Sequence, residues 1–175
     1  MSSWPSDAFR FALVGNPNCG KTALFNMLTG KRQKVANYPG VTVESKRGRL
    51  ITPSGRKMVA IDLPGTYSLR GRSPDEAVTR NAILGKLADE SPMDLIVCIA
   101  DATNLRLSLR LVLELKLTGM PVILALNMVD IAAKRGIEID MNRLSERLGI
   151  PVIPTIAVDK GGTAELLAAD RKSVV

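Results

Sequence analysis

Residues 15–22 read Gly15-Asn16-Pro17-Asn18-Cys19-Gly20-Lys21-Thr22, the G-x-x-x-x-G-K-[ST] spacing of a phosphate-binding loop. The chemistry such a loop offers is anion capture. Its backbone N–H groups, continued by Ala23 in the first helical turn, point at the α- and β-phosphates of a nucleotide. Lys21 reaches the β- and γ-phosphates, and the Thr22 hydroxyl is placed to bind Mg²⁺. On the octet alone, an ordinary glycine-rich strand-to-helix turn remains open.

Three further motifs and a flanking segment extend the chemistry. Asp62-Leu63-Pro64-Gly65 follows the apolar run Met58–Ile61; a carboxylate at a strand end can hold Mg²⁺ through water, and the Gly65 N–H can face a γ-phosphate. Asn127-Met128-Val129-Asp130 also follows an apolar run. Guanine presents an N1–H and an N2 amine on one edge, and the Asp130 carboxylate can accept from both. Adenine has no such donor pair and would leave the charge unpaired. Asn127 would brace the neighbouring loop and face N7 or O6. The competing reading of this tetrapeptide is a plain turn with an Asp helix cap.

Between the first two motifs lies Pro39-Gly40-Val41-Thr42. Thr42 can complete Mg²⁺ coordination when a γ-phosphate is present and swing away after hydrolysis. Val41 and Val43 offer no side-chain oxygen; a β-branched residue opening an edge strand is the plainer alternative. The backbone of Pro154-Thr155-Ile156-Ala157 is placed to cap a base.

The elements that must position these residues follow from periodicity. Apolar runs at Phe9–Val14, Met58–Ile61, Asp94–Ala100, Val122–Leu126 and Val152–Ile156 read as strands. Helix-like stretches lie at Thr22–Thr29, Asp75–Ala88, Asp140–Leu148 and Thr163–Ala169. Strands alternating with helices predict a doubly wound α/β sheet. Lys34–Pro39 reads as irregular. Val41–Ile51 reads as a polar strand that the Ser54-Gly55 turn returns antiparallel to Lys57–Ile61. The expectation is a six-stranded mixed sheet with one antiparallel strand and about five helices on both faces.

One segment carries conflicting signals. Leucine occupies every odd position from Leu105 to Leu117, which is the period of a strand. The buried runs on either side are parallel-strand candidates, and parallel neighbours need a crossover of about a dozen residues. Asn104–Thr118 is therefore read as a helix with leucines on two faces. Whether the second face is enclosed within the domain or docks an outside partner stays open.

Composition sets the class. The chain has 175 residues, 46% of them hydrophobic, enough for one domain with a sizeable core. No apolar run approaches the 18 or more residues of a membrane span, and the N-terminus lacks the order of a signal peptide. The absence of histidine argues against zinc sites and imidazole catalysis. Two cysteines make no disulfide framework, which fits a reduced, cytoplasmic setting. Residues 1–72 carry 12 Lys and Arg against 3 Asp and Glu, a net +9. A solvated basic face explains this most simply. An anionic lipid surface stays open, while no nucleic-acid partner is expected because no aromatic residues interleave to stack bases.

In order and spacing the five elements match the motif set of small GTPases. The strings G-N-P-N-C-G-K-T-A-L-F-N, N-Y-P-G-V-T-V-E, D-L-P-G-T-Y-S-L and A-L-N-M-V-D resemble the N-terminal G domain of the bacterial ferrous-iron transport protein B (FeoB) family, over roughly residues 9–168. The resemblance implies a Ras-like G domain over 9–170, with motifs at 15–22, Thr42, 62–65, 127–130 and 154–158. It makes residues 1–8 an N-terminal extension and 171–175 the start of a missing or truncated C-terminal region. It implies a cytoplasmic domain joined to a small helical domain and a polytopic membrane domain that moves Fe²⁺, and it leaves self-association of the G domain open. Asn18 matches the asparagine that potassium-activated GTPases use to help ligate K⁺, an ion supplying positive charge where other GTPases receive an arginine finger. A loop asparagine tolerating unusual backbone is the alternative.

Two positions depart from the wider GTPase pattern. Thr66 stands where many members carry a water-orienting glutamine, and Ile156 where serine is common. The mechanism this reading implies is in-line attack of water on GTP. Lys21 and Mg²⁺ neutralise the phosphates, with Thr22, Thr42 and Asp62 as metal ligands. The backbone near Thr42 and Gly65 orients the water, and segments 31–45 and 63–75 switch. A ribosome- or RNA-associated GTPase, a nucleotide phosphotransferase and a GTP sensor with negligible turnover are the competing classes.

Overall fold

The computed structural model describes residues 7–30, 33–87 and 91–156. Its centre is a seven-stranded sheet in the order β2-β3-β4-β1-β5-β6-β7. The strands are β1 Phe9–Gly15, β2 Gln33–Asn37, β3 Glu44–Ile51, β4 Lys57–Asp62, β5 Leu95–Asp101, β6 Val122–Asn127 and β7 Val152–Thr155. Only β3 runs against the others: it pairs antiparallel with β2 and β4, and the remaining pairings are parallel. The central strands β5 and β6 are buried over almost their whole length. Their sequences are accordingly continuous apolar runs, as parallel strands covered on both faces require.

Two apolar layers sandwich the sheet. One places Leu24 and Phe25 of helix α1 (Lys21–Thr29) against Phe11, Leu13, Val97 and Ile99. The other gathers Val78 and Ala82 of α2 (Pro74–Ile83), and Leu111, Val112 and Leu115 of α3 (Leu105–Lys116), against Val14, Ile61, Ile96 and Leu124. Two further α-helices, α4 (Val129–Lys134) and α5 (Met141–Leu148), and a 3₁₀ turn at Ala102–Asn104 complete the helical segments among the described residues. Helix starts follow local chemistry. The Ser73 hydroxyl accepts from Glu76 N–H ahead of Pro74, and Asp140 accepts from Arg143 N–H at 2.9 Å.

The sheet has seven strands rather than six because the segment read as irregular, Lys34–Pro39, holds all of β2 but its first residue, Gln33. Its polar residues show no alternation, and its order comes from backbone pairing with β3 from Gln33↔Gly48 to Asn37↔Glu44. The polar strand begins at Glu44 rather than Val41, since residues 38–43 form a turn closed by Tyr38 N–H to Val43 O at 2.9 Å. Helix α2 stops at Ile83, short of the expected Ala88, which lies outside the described residues with the expected helix Thr163–Ala169. Helix α4 is not among the expected helical stretches.

The leucine-rich segment is helical and joins parallel β5 to β6. Leu111 and Leu115 are fully enclosed, whereas Leu107, Leu113 and Leu117 are 50%, 52% and 87% exposed. No described helix is long and apolar enough to cross a membrane.

Candidate functional site

The site forms where β1 and β4 end, at the carboxyl edge of the parallel strands, where open α/β sheets place their ligands. After Gly15 the chain turns through residues 16–20 into α1. The Cys19 N–H donates to Asn16 O at 3.3 Å and Leu24 N–H to Gly20 O at 3.0 Å. Asn16 is buried, and its Nδ2 donates to Ser108 Oγ on α3 at 3.3 Å. Pro17 and Asn18 are exposed at the crown of the turn. Asn18 adopts a left-handed φ of 63°, which asparagine tolerates better than most residues.

Gly20 must be glycine for two reasons. Its φ is 88°, and a β-carbon there would lie 2.1 Å from Asn127 Nδ2. That amide instead donates to Cys19 O at 3.0 Å. The asparagine of the Asn127–Asp130 motif is thereby fastened to the phosphate loop across the sheet. Met128 takes a left-handed φ of 61° and caps α4, so Asp130 sits in the first turn rather than at the cap. Asp130 is partly exposed.

A cavity of about 300 Å³ is lined by Lys21, Thr22, Thr42, Asp62, Leu63, Pro64 and Gly65. Three sequence segments meet there, with Asp75 as a fourth. Lys21 Nζ and Asp62 Oδ1 form a buried ion pair. The set of two hydroxyls and one carboxylate (Thr22, Thr42, Asp62) consists of hard oxygen donors, the kind Mg²⁺ takes. Gly65 packs on the phosphate loop: a β-carbon there would lie 3.2 Å from Pro17 Cα. Among the described residues no group of three or more Cys, Asp and Glu offers a further metal site.

Other expected residues lie around the cavity rather than on its walls. Gly15, Asn16, Pro17, Asn18, Cys19 and Gly20 build the loop beside it, and Ala23 is exposed in the first turn of α1. Gly40 and Val41 are exposed in the turn before Thr42. Thr155 is buried opposite Asn127 in register, its Oγ1 without a hydrogen-bond partner among the described residues, and Ile156 is half-buried. Ala157 lies outside the described residues. A larger cavity of about 750 Å³ opens at the far, amino-terminal ends of the strands, between Phe9, Arg10, Arg56 and Asp94. It contains none of the motif residues.

Four wall residues, Val43, Glu44, Lys46 and Asp75, are not among the expected site residues. Lys46 pairs in register with Asp62. Counting back from a two-residue Ser54-Gly55 turn would have put it opposite Leu63, because Thr52 N–H donates to Arg56 O and the loop spans three residues, Pro53–Gly55. The segment after Gly65 also reveals itself only in three dimensions. The Thr66 hydroxyl donates to Ser68 O at 2.7 Å within its own turn. Arg72 N–H donates to Glu76 Oε2 at 2.9 Å and Ser68 Oγ to Glu76 Oε1 at 3.1 Å. These bonds hold the Glu76 carboxyl below its ordinary range, the Arg72 amide being the chief cause. Burial raises the Cys19 thiol, against the partial pull of the Lys21 backbone N–H.

The family model for ferrous iron transport protein B matches residues 9–169. The chain is 47% identical over 164 residues to the Fe(2+) transporter FeoB of Salmonella typhimurium, which covers 91% of this chain and 20% of that protein. It spans about a fifth of the length of the curated relatives it matches. The G domain of the T. maritima FeoB iron transporter superposes with a TM-score of 0.84 at 43% identity, covering 96% of this chain and 99% of that one. The cytosolic domain of the same transporter in its GMPPNP form gives 0.83 at 44% identity, covering 94% and 62%.

Proposed function

Because the chain belongs to the ferrous iron transport protein B family, we propose that it is the GTP-binding and GTP-hydrolysing domain of a ferrous-iron membrane transporter. Residues 9–170 form the G domain, working on the cytoplasmic face of a bacterial inner membrane beside helical and membrane-spanning domains of the same protein. The observation that carries the reading is the convergence of Lys21, Thr22, Thr42, Asp62 and Gly65 on one cavity of about 300 Å³, with Asn127 tied to the same loop. Solved relatives named for GDP and GMPPNP forms support it.

In this reading the phosphate loop from Gly15 to Ala23 wraps the α- and β-phosphates through its backbone amides. Lys21 exchanges Asp62 for the β- and γ-phosphates. Asp130 accepts from the guanine edge, while Thr155, Ile156 and Ala157 close over the base. Mg²⁺, when bound, is held by Thr22, Thr42 and Asp62 and supplies positive charge against the phosphate oxygens. The exposed Asn18 carboxamide offers K⁺ an oxygen of the type it accepts. The Thr66 hydroxyl is committed to Ser68 O, so the attacking water is oriented by backbone groups near Thr42 and Gly65. Phosphoryl transfer needs little general-base help, since positioning and charge dominate. Segments 31–45 and 63–75 change with the nucleotide and pass its state to the membrane domain.

Phosphate release from GTP by the purified chain, with ATP as control, tests this. Turnover of GTP alone is expected. Equal turnover of both nucleotides, or binding of neither, would overturn it.

A further inference from the structure

Helix α3 holds both segments that face the phosphates. Near its start, Ser108 Oγ accepts from Asn16 of the phosphate loop. Six residues on, about 9 Å along the axis, Glu114 Oε2 accepts from the Leu69 N–H at 2.6 Å. Leu69 lies four residues beyond Gly65, in a stretch without helix or strand. The other Glu114 oxygen accepts from Arg110 Nε at 3.1 Å, with Arg70 Nε at 3.9 Å. Helix-surface glutamates ordinarily pair with an i−4 arginine and with water. Here one oxygen is spent on a loop amide 45 residues away in sequence.

The consequence is geometric. Ser108 and Glu114 belong to one rigid helix, so the distance between the phosphate loop and the segment trailing Gly65 is referred to α3. We propose that Glu114 is a positioning residue: it sets the 66–70 segment so that Gly65 stands where a γ-phosphate will arrive. This inference rests on the nucleotide reading above and deepens it. Thr66 N–H donates to Gly15 O at 3.0 Å and Ser68 Oγ to Glu76; without the clasp at Leu69, the remaining ordering of the segment comes at the expense of binding. Only a nucleotide carrying a γ-phosphate makes that demand, because the α- and β-phosphates are served by the phosphate loop alone.

The test compares GMPPNP and GDP affinities of the purified chain with those of Glu114→Ala and Glu114→Gln. Alanine is the best helix former, so α3 should persist, and the GMPPNP-to-GDP ratio is read within each protein. Glu114→Ala is expected to weaken GMPPNP about five- to tenfold, as the loss of a hydrogen bond to a partly exposed charged group allows, and to leave GDP within twofold. Glu114→Gln, which keeps an oxygen for the Leu69 N–H, should recover most of the loss. A common fall for both nucleotides, an unchanged ratio, or no recovery with glutamine would overturn the proposal. If the unaltered chain binds neither nucleotide, the nucleotide reading fails and this inference with it. If it binds both and the ratio does not move, this inference alone fails.

Discussion

Asn127 donates from Nδ2 to the Cys19 carbonyl at 3.0 Å, and this bond joins the end of β6 to a phosphate loop 108 residues earlier in the chain. Removing it leaves a buried carbonyl unsatisfied, at a cost of about 1–3 kcal/mol. Asn127→Ala should therefore lower the melting temperature and weaken GTP and GDP alike. Gly20→Ala should do worse, combining strain at φ 88° with a 2.1 Å clash on Asn127 Nδ2. Thermal melts and fluorescent-nucleotide titrations check both; full stability in Gly20→Ala would contradict the packing described.

The Lys21–Asp62 pair is buried on both sides. Deleting one member of such a pair strands the other charge and costs about 3–5 kcal/mol, while replacing both is far milder. Lys21→Met should thus destabilise the chain strongly, and Lys21→Met combined with Asp62→Leu should regain much of the loss without regaining nucleotide. Urea denaturation of the two variants measures this. A double variant no more stable than the single one would show that the pair is not coupled.

Asn18 is exposed with a left-handed backbone, and either a K⁺ ligand or a turn residue fits that description. If it ligates K⁺, KCl should accelerate GTP hydrolysis well above NaCl at equal ionic strength, and Asn18→Ala should erase the difference. Equal rates in the two salts would leave Asn18 only its role in the turn.

If Asp130 accepts from the guanine edge, base selectivity rests on it. Asp130→Asn turns one acceptor into a donor, which suits the xanthine carbonyl in place of the guanine amine. Competition titrations should show weaker GTP and newly measurable XTP binding. An unchanged preference would remove Asp130 from the base site.

Glu76 holds the segment after Gly65 through Arg72 N–H and Ser68 Oγ, and its carboxyl is lowered below the ordinary 4.5. A group depressed in the folded state contributes stability that is present above its unfolded value and lost as pH falls through the folded one. Melting temperatures of the parent chain and Glu76→Gln should differ by a constant amount above pH 4.5, and the gap should close below it. A gap that widens on acidification would reverse the sign assigned here.

Much of this was legible in the residues themselves. The phosphate loop, Asp62–Gly65 and Asn127–Asp130 are contiguous motifs whose roles depend on a strand ending just before them, and strand ends show in apolar runs. Leu105–Leu117 shows how neighbours decide a local ambiguity: its period of two suggested a strand, but two parallel strands on either side left room only for a crossover helix. Strand β2 was not legible, because a polar edge strand owes its order to backbone pairing with β3 rather than to a side-chain pattern.

By itself the sequence determined most of the strand–helix alternation, with β2 and α4 missed, and the family to which the chain belongs, since both depend on spacings of a few residues. Tertiary structure alone decided that Lys21 pairs with Asp62, that Lys46 and Asp75 share their cavity, that Asn127 grips Cys19, and that Glu114 clasps Leu69. Each of these contacts joins segments tens of residues apart. They form only when the sheet order and helix packing bring particular side-chain atoms within about 3 Å, a distance that no local propensity encodes.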